Sequence, residues 1–479
     1  MSYLDRKTAL QIRTLISAIG LTITVISLSL GVCLLITPRA LPFASNIDPC
    51  ILTAVRKHKL TIGYAVVKAC NAWKLPPADK SWRFGDYIIL RYTITKDNLQ
   101  KIAENSIYVY AYRNLTIIDP IGFMKAVSSQ ELRDSLEKAK TYTGDAKRTF
   151  HNASTRWTGK GVVVCVIDSG VDYLHPDLRN NILMVVSMFA YGNGHPLVWI
   201  NGVNGSWNEA YEYELQINMS YGIFPWLDLY GHGTHVSGII AGSGNASNGL
   251  IKGLAPDAKL IVIKAFNDDG ASTTDIVLDA LSWVERFAKE YNITVVNMSF
   301  GALGSTNGKD PLSIACDQLA VQGLILFASA GNDYAFPFTI AIPACARKVI
   351  AIGAIDPYTS KIPSWTSIGP TDDGRIKPDF ICAGVWVLST KPITVKSYLE
   401  QAVPEAVRDQ YYMWLSGTSM SCAVASGLCA EYIEWYYYVF HKYPNWKEIV
   451  FYFQKYSQRI NILMKDFISG WGIPKGLPS

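Results

Sequence analysis

Charge is scarce in this chain. Only 17% of its 479 residues are Asp, Glu, Lys or Arg, and 44 basic against 39 acidic side chains leave a net charge of +5. No long Lys/Arg run is present to track a phosphate backbone, so nucleic acid is not an expected partner. The nine cysteines show no CxxC and no His-paired metal spacing. An HExxH glutamate is missing too, which removes the usual zinc-protease helix. Cys422 and Cys429, seven helical residues apart, stand roughly 10 Å from each other, too far for a disulfide. Cys50 with Cys70 leaves one bridge open. What is plentiful is apolar: 49% hydrophobic and 12% aromatic residues, enough for one large domain and a smaller one.

Long hydrophobic runs are also few, and the longest is at the start. Leu15 to Ile36 is 22 residues without a charge, preceded by Arg6, Lys7 and Arg13. That length matches a membrane span of roughly 20 residues, and the charge bias puts residues 1–14 in the cytoplasm and all that follows outside. The rival reading is a cleaved signal with a cutting region at Ala40 to Ala44. Either way the bulk of the chain is expected to be exported: at the extracellular face of the membrane, or secreted. Seven Asn-x-Ser/Thr sequons agree with export, at Asn114, Asn152, Asn204, Asn218, Asn245, Asn292 and Asn297.

Residues 47–125 read as a small α+β domain. Tyr87 to Thr95 is β-rich, Lys96 to Asn105 helical, and Ser106 to Tyr112 and Leu115 to Ile118 again strand-like. Residues 126–150 read as a polar linker with an amphipathic piece at Leu132 to Ala139. From about residue 151 to 479 the texture is that of an α/β domain. Val162 to Ile167, Leu260 to Ala265, Ile293 to Met298, Leu324 to Ala328 and Val349 to Ile352 are apolar runs of buried-strand type. Helical patterns at Thr274 to Tyr291 and Pro311 to Gln322 separate them. This alternation predicts a mostly parallel sheet with helices on both faces and active residues at the carboxyl ends of strands. Asn180 to Tyr230 reads as a surface insertion.

Three segments carry chemistry. Asp168 ends the first apolar run, where a carboxylate needs a partner or serves as a turn residue. Gly231-His232-Gly233-Thr234-His235 opens a helix; His232 there is a general base, or one of a metal-binding pair with His235. Gly417-Thr418-Ser419-Met420 stands before a long apolar stretch, where a serine is a nucleophile near a positive helix end or simply a cap.

Asp, then His, then Ser is the chain order of the subtilisin triad. With Val164 to Asp172, His175-Pro176-Asp177-Leu178, Gly231 to Gly238 and Gly417 to Met420, the sequence resembles the subtilisin-like serine proteases over about Gly159 to Pro474. The resemblance implies Asp168, His232 and Ser419 as catalytic residues. Through Ser329-Ala330-Gly331-Asn332 it implies Asn332 as oxyanion donor. Through Asn297-Met298-Ser299-Phe300-Gly301 it implies a substrate-binding strand, with Ser299, Phe300, Gly301, Ala330 and Gly331 at the cleft, which makes Asn297 a poor glycosylation site. No cofactor is required by such chemistry; Asp177 is a candidate for a structural calcium site. Residues 47–125 stand where the family carries a self-cleaved propeptide. The expected partners are therefore polypeptide substrates, the chain's own propeptide, and a membrane through residues 15–36. Two departures stand out: Ser421-Cys422-Ala423-Val424 where the family has Ala-Ser-Pro-His, and Ala383 where it favours proline. The alternative is a catalytically silent, membrane-tethered binding protein on the same fold.

Overall fold

The computed structural model describes residues 46–57, 60–117, 130–142, 144–189, 196–461 and 464–477. The expected cytoplasmic segment and the uncharged run 15–36 lie outside the described residues; among those described, no helix is long and apolar enough to cross a membrane. Asp48–Ser479 form one unit.

Its first part is a four-stranded antiparallel sheet of β1 (Thr61–Lys68), β2 (Lys80–Phe84), β3 (Tyr87–Ile94) and β4 (Tyr108–Ala111), in the order β2-β3-β1-β4. Gly85, at φ 51°, makes the tight turn between β2 and β3. Helix Pro49–Arg56 packs on β1 and helix Lys96–Glu104 on β4, burying Ile51 and Ile102 completely. Thr95 and Asn98 form a reciprocal capping box that starts the second helix. Tyr64, Val66, Trp82 and Phe84 join the main hydrophobic core, where β1 and β2 meet helices Thr274–Phe287 and Pro311–Val321. A separate strand follows, β5 (Asn114–Ile117).

The described part of the expected linker holds two helices. Helix Gln130–Thr141 buries Leu136 and Ala139, three residues apart on one face. Helix Ala146–His151 is pinned by Arg148, whose guanidinium donates to the carbonyls of Gly253, Leu254 and Ser154. The charges of helix Gln130–Thr141 are mostly exposed, whereas Arg148 spends its own on backbone carbonyls.

The large sheet holds β6 (Val163–Asp168), β7 (Ile182–Ser187), β8 (Leu197–Ile200), β9 (Lys259–Lys264), β11 (Ile293–Met298), β13 (Ile325–Ser329), β14 (Ile350–Ile355) and β15 (Phe380–Ala383). The two short strands between these are β10 (Ala271–Thr273) and β12 (Phe300–Gly301). The order is β15-β14-β13-β11-β6-β9-β7-β8, parallel at every step except the last. Every residue of β6, β13, β14 and β15 is buried, which requires cover on both faces and accounts for their unbroken apolar runs. Part of the expected insertion therefore belongs to the sheet as β7 and β8; beyond them a capped helix, Trp207–Tyr221, follows. The serine helix, Thr418–Phe440, packs against β11, β13, β14 and β15 and against the histidine helix, His232–Ala241. β6 lies between β9 and β11, where the strand order switches direction, and Asp168 stands at its carboxyl end.

Candidate active site

The geometry starts from Asp168, which is fully buried. Its Oδ1 accepts from Ser169 N at 2.8 Å and from His232 Nδ1 at 2.8 Å, and its Oδ2 lies 3.0 Å from the same ring nitrogen. Those contacts fix the proton of His232 on Nδ1, so Nε2 is the basic nitrogen. That atom is buried and has no hydrogen-bond partner. Gly231, at φ 101°, turns the chain into the histidine helix. A Cβ on Gly233 would fall 2.1 Å from Gly170 O, so only glycine lets the two loops meet. His235 points elsewhere, with Nε2 3.1 Å from Met413 O, and no cluster of three metal-ligating side chains exists among the described residues.

A residue that sequence reasoning missed holds this arrangement together. Asp228 is fully buried and accepts from Gly231 N (2.7 Å), Thr234 N (2.8 Å), Thr234 Oγ1 (2.7 Å) and Ser169 Oγ (2.8 Å). Burial pushes its pKa up, against the pull of these donors. It clamps both the start of the histidine helix and the turn after Asp168. The available signal was a carboxylate inside the apolar string Trp226-Leu227-Asp228-Leu229-Tyr230, four residues before the histidine. Glu214 has a similar role one layer out. It is buried on the Trp207–Tyr221 helix, takes the amides of Trp226 and Leu227 and the Tyr173 hydroxyl, and so ties that helix to the segment leading to His232.

Ser419 begins the serine helix and is fully buried. Its hydroxyl donates to Ser299 O at 2.8 Å rather than to His232, while Ser299 Oγ donates back to Ser419 O at 2.9 Å. Asp168 and His232 are thus joined, and Ser419 is bonded instead to Ser299. A hydrogen bond between a candidate nucleophile and a candidate base is often long or poorly aligned until substrate binds. Asn332 Oδ1 accepts from Thr418 N and Thr418 Oγ1 at 3.0 and 2.9 Å, which turns Nδ2 outward; that amide nitrogen is buried without a partner. A Cβ on Gly417 would come 3.3 Å from it, crowding the same space. Gly331, at φ 118°, donates to Thr418 Oγ1 and leaves no room for a Cβ beside Ser367. Ala330 is buried, its amide bonded to Ile352 O.

Phe300 is at the cleft through its backbone alone. Its ring is fully buried, 4.8 Å from that of Phe266. β12 and β10 form the two walls of a slot, and β5 lies between them, antiparallel to both. Ile117 pairs with Phe300, Thr116 with both Gly301 and Ala271, and Ile117 N donates to Gly270 O at 2.9 Å. Leu115 and Ile117 are buried while Asn114 and Thr116 are exposed, the alternation of an extended peptide in a groove. The pairing is antiparallel, so β5 runs toward Ser299 and the Ser419 it touches.

Asp177 does not fit a calcium ion. Its oxygens are taken by Ala246 N and Tyr412 OH, both at 2.7 Å, where calcium needs six to eight oxygen ligands. Cys50 and Cys70 are both free. Asn297 is fully buried and bonded to Ser299 and Ser426, which bars it from glycosylation in the folded chain. The departure at Ala383 has a physical reason: its amide donates to His151 Nε2 at 3.0 Å, a bond that proline lacks.

Residues 159–447 match the Subtilase family, well over half of the chain. Serine protease AprX of Bacillus subtilis is 30% identical over 318 residues, covering 64% of this chain and 64% of that protein. The match thus spans somewhat under two thirds of that relative's length. Subtilisin of Bacillus sp. strain TA39 is 25% identical over 75% of this chain and 77% of its own. Subtilisin E of Bacillus subtilis is 28% identical over 61% and 59%. The chain belongs to the subtilase family, the subtilisin-like serine peptidases.

Proposed function

We propose that this protein is an exported serine endopeptidase that cuts extended polypeptides and is made as a self-processing precursor. The observation that carries this reading is the pair of buried, unpartnered nitrogens, His232 Nε2 and Asn332 Nδ2, in the site that holds Ser419. An unpaired buried polar atom costs about 1–3 kcal/mol, so these two, on the residues that the motifs give as base and oxyanion donor, are where a reacting group belongs. Ser419 turns from Ser299 O to His232 Nε2 and gives up its proton as it attacks the scissile carbonyl. His232 returns that proton to the leaving amine, and Asp168 holds the imidazole tautomer and steadies its charge. Asn332 Nδ2 and the Ser419 amide meet the oxyanion. Bonds from β10 and β12 to the substrate backbone select extended chains over compact folds.

In the precursor the same slot is filled by β5, so residues 48–117 act as the inhibitor. Export rests on the sequence run 15–36, on the exposed sequons at Asn114, Asn152, Asn204, Asn245 and Asn292, and on a relative. That relative, the minor extracellular protease Vpr of Bacillus subtilis, is 33% identical over 215 residues. Whether residues 15–36 stay as an anchor decides between the cell surface and free secretion. A serine-directed phosphonate and an unstructured protein substrate test the proposal on the purified chain. Covalent labelling at Ser419 with substrate cleavage supports it. An intact chain that neither labels nor cuts, even once residues 48–117 are removed by an added protease, favours the silent binding protein.

A further inference from the structure

The far end of the serine helix carries a surface that catalysis does not use. Between Trp435 and Tyr456, 11 of 22 residues are aromatic, against 12% for the whole chain. Many are outside the core: Tyr438 is 61% exposed and Phe451 58%, with Tyr437, Phe440 and Tyr443 also exposed. Ring contacts gather them into groups. Tyr438 meets Trp157, Tyr437 meets Tyr443, and Trp435 meets both Phe440 and Tyr452, which touches Phe451. An open cavity of about 820 Å³ lies among Trp157, Lys160, Tyr437, Tyr438, His441 and Tyr443.

Its charge is one-sided. Arg156 lies over the rings of Trp157 and Tyr438, Lys447 over Trp446, and Lys455 over Tyr452 and Tyr456. Two acids nearby, Glu434 and Glu448, are taken up by donors of the protein. Glu434 Oε2 accepts the amides of Thr158, Gly159 and Lys160, and Glu448 takes Tyr436 OH, Lys442 Nζ and Asn445 N.

We infer that this patch is a membrane-contact surface that seats the enzyme on an anionic phospholipid layer. Tyr and Trp rings concentrate at the boundary between headgroups and acyl chains, and Lys and Arg stems reach from apolar surroundings toward phosphate. An aromatic patch of this extent on a water-soluble face calls for cover. The sequence carries its own pointer to a membrane, the uncharged run 15–36. Placement fits as well. Tyr438 follows Ser419 by 19 residues along one helix, about 28 Å at 1.5 Å per residue, so a chain seated by this patch holds its cleft away from the bilayer. A cut after β5 separates the catalytic part from residues 15–36, and the patch then remains as its hold.

The test uses the full chain with vesicles of phosphatidylcholine and phosphatidylglycerol carrying a photoactivatable acyl chain, with adducts mapped by mass spectrometry. Adducts within residues 435–451 are expected, several-fold fewer on phosphatidylcholine alone and in the triple variant Tyr437→Ser, Tyr438→Ser, Phe440→Ser. Should that variant not fold, as judged by circular dichroism, the double variant Lys447→Gln, Lys455→Gln alters only exposed charges and is expected to lose adducts by the same comparison. Adducts confined to residues 15–36, yields equal in parent and variants, or a crosslink of 15–36 onto 437–443 would each overturn the inference.

Discussion

Residues 61–117 hold the catalytic body in two places, and the two contacts differ in kind. β5 is held by backbone: its strand pairs with β10 on one side and β12 on the other, and its buried side chains are the apolar Leu115 and Ile117. The face of β1 and β2 is held by side chains on helix Thr274–Phe287. Tyr64 OH and Trp82 Nε1 donate to Asp275 and Asp279 at 2.7 and 2.8 Å, and Lys80 pairs with Asp279 at 2.7 Å. A groove that reads backbone accepts many sequences, as an endopeptidase needs, whereas a contact built from matched side chains recognises one partner. In the proposed precursor the first contact is generic and the second is the one that would single out residues 48–117 as the inhibitor.

The largest break comes at the nucleophile. Ser419→Ala is expected to lower peptide hydrolysis by about 10⁶ while leaving both contacts in place, so the chain stays uncut; turnover and gel mobility read the two effects. Next is Asn332→Ala, with a loss of about 10²–10³ in kcat and little change in KM, the size known for a donor of this kind in subtilisin. The third probe is acid. Burial holds His151 and His235 neutral, each with its pKa down to about 3 against an ordinary 6.5. Below 6.5 the unfolded chain takes up protons that the folded one refuses, so stability is complete above 6.5 and falls as pH drops toward 3. By about pH 5.5 the two together remove roughly 3 kcal/mol, visible as a lower urea midpoint. The backbone-held strand does not titrate over that range.

Two smaller changes separate the contacts themselves. Leu115→Ala empties a buried position of β5 and is expected to weaken the groove contact by about 2–3 kcal/mol, on the order of 100-fold faster phosphonate labelling of Ser419 in the uncut chain. Asp279→Ala removes two partners at a half-exposed site and is expected to cost about 1 kcal/mol, a several-fold acceleration in the same assay. Equal effects would mean that the two contacts do not divide the work as described.

The parallel sheet was legible because strands buried on both faces leave unbroken apolar runs, as in Val163–Ile167 and Ile350–Ile355. Asp168, His232, Ser419 and Asn332 were legible because each sits in a short string of small residues whose spacing matches a known template. Asp228 and Glu214 were not, since a lone carboxylate in an apolar string says nothing of the amides it will accept. The helix over 130–141 was legible only as the amphipathic piece at Leu132 to Ala139, and the one over 146–151 was missed because Arg148 bonds to carbonyls brought near only by the fold. Phe300 shows the limit of carrying over a motif, because its backbone lines the groove while its ring belongs to the core.

Self-processing requires Ser419 to cut its own chain just past the strand that fills its groove. N-terminal sequencing of the purified protein, set beside its Ser419→Ala variant in a protease-free preparation, tests this directly. A new terminus within residues 118–129 is expected in the parent and none in the variant. The same shortened form in both, or a terminus inside residues 61–111, would contradict it.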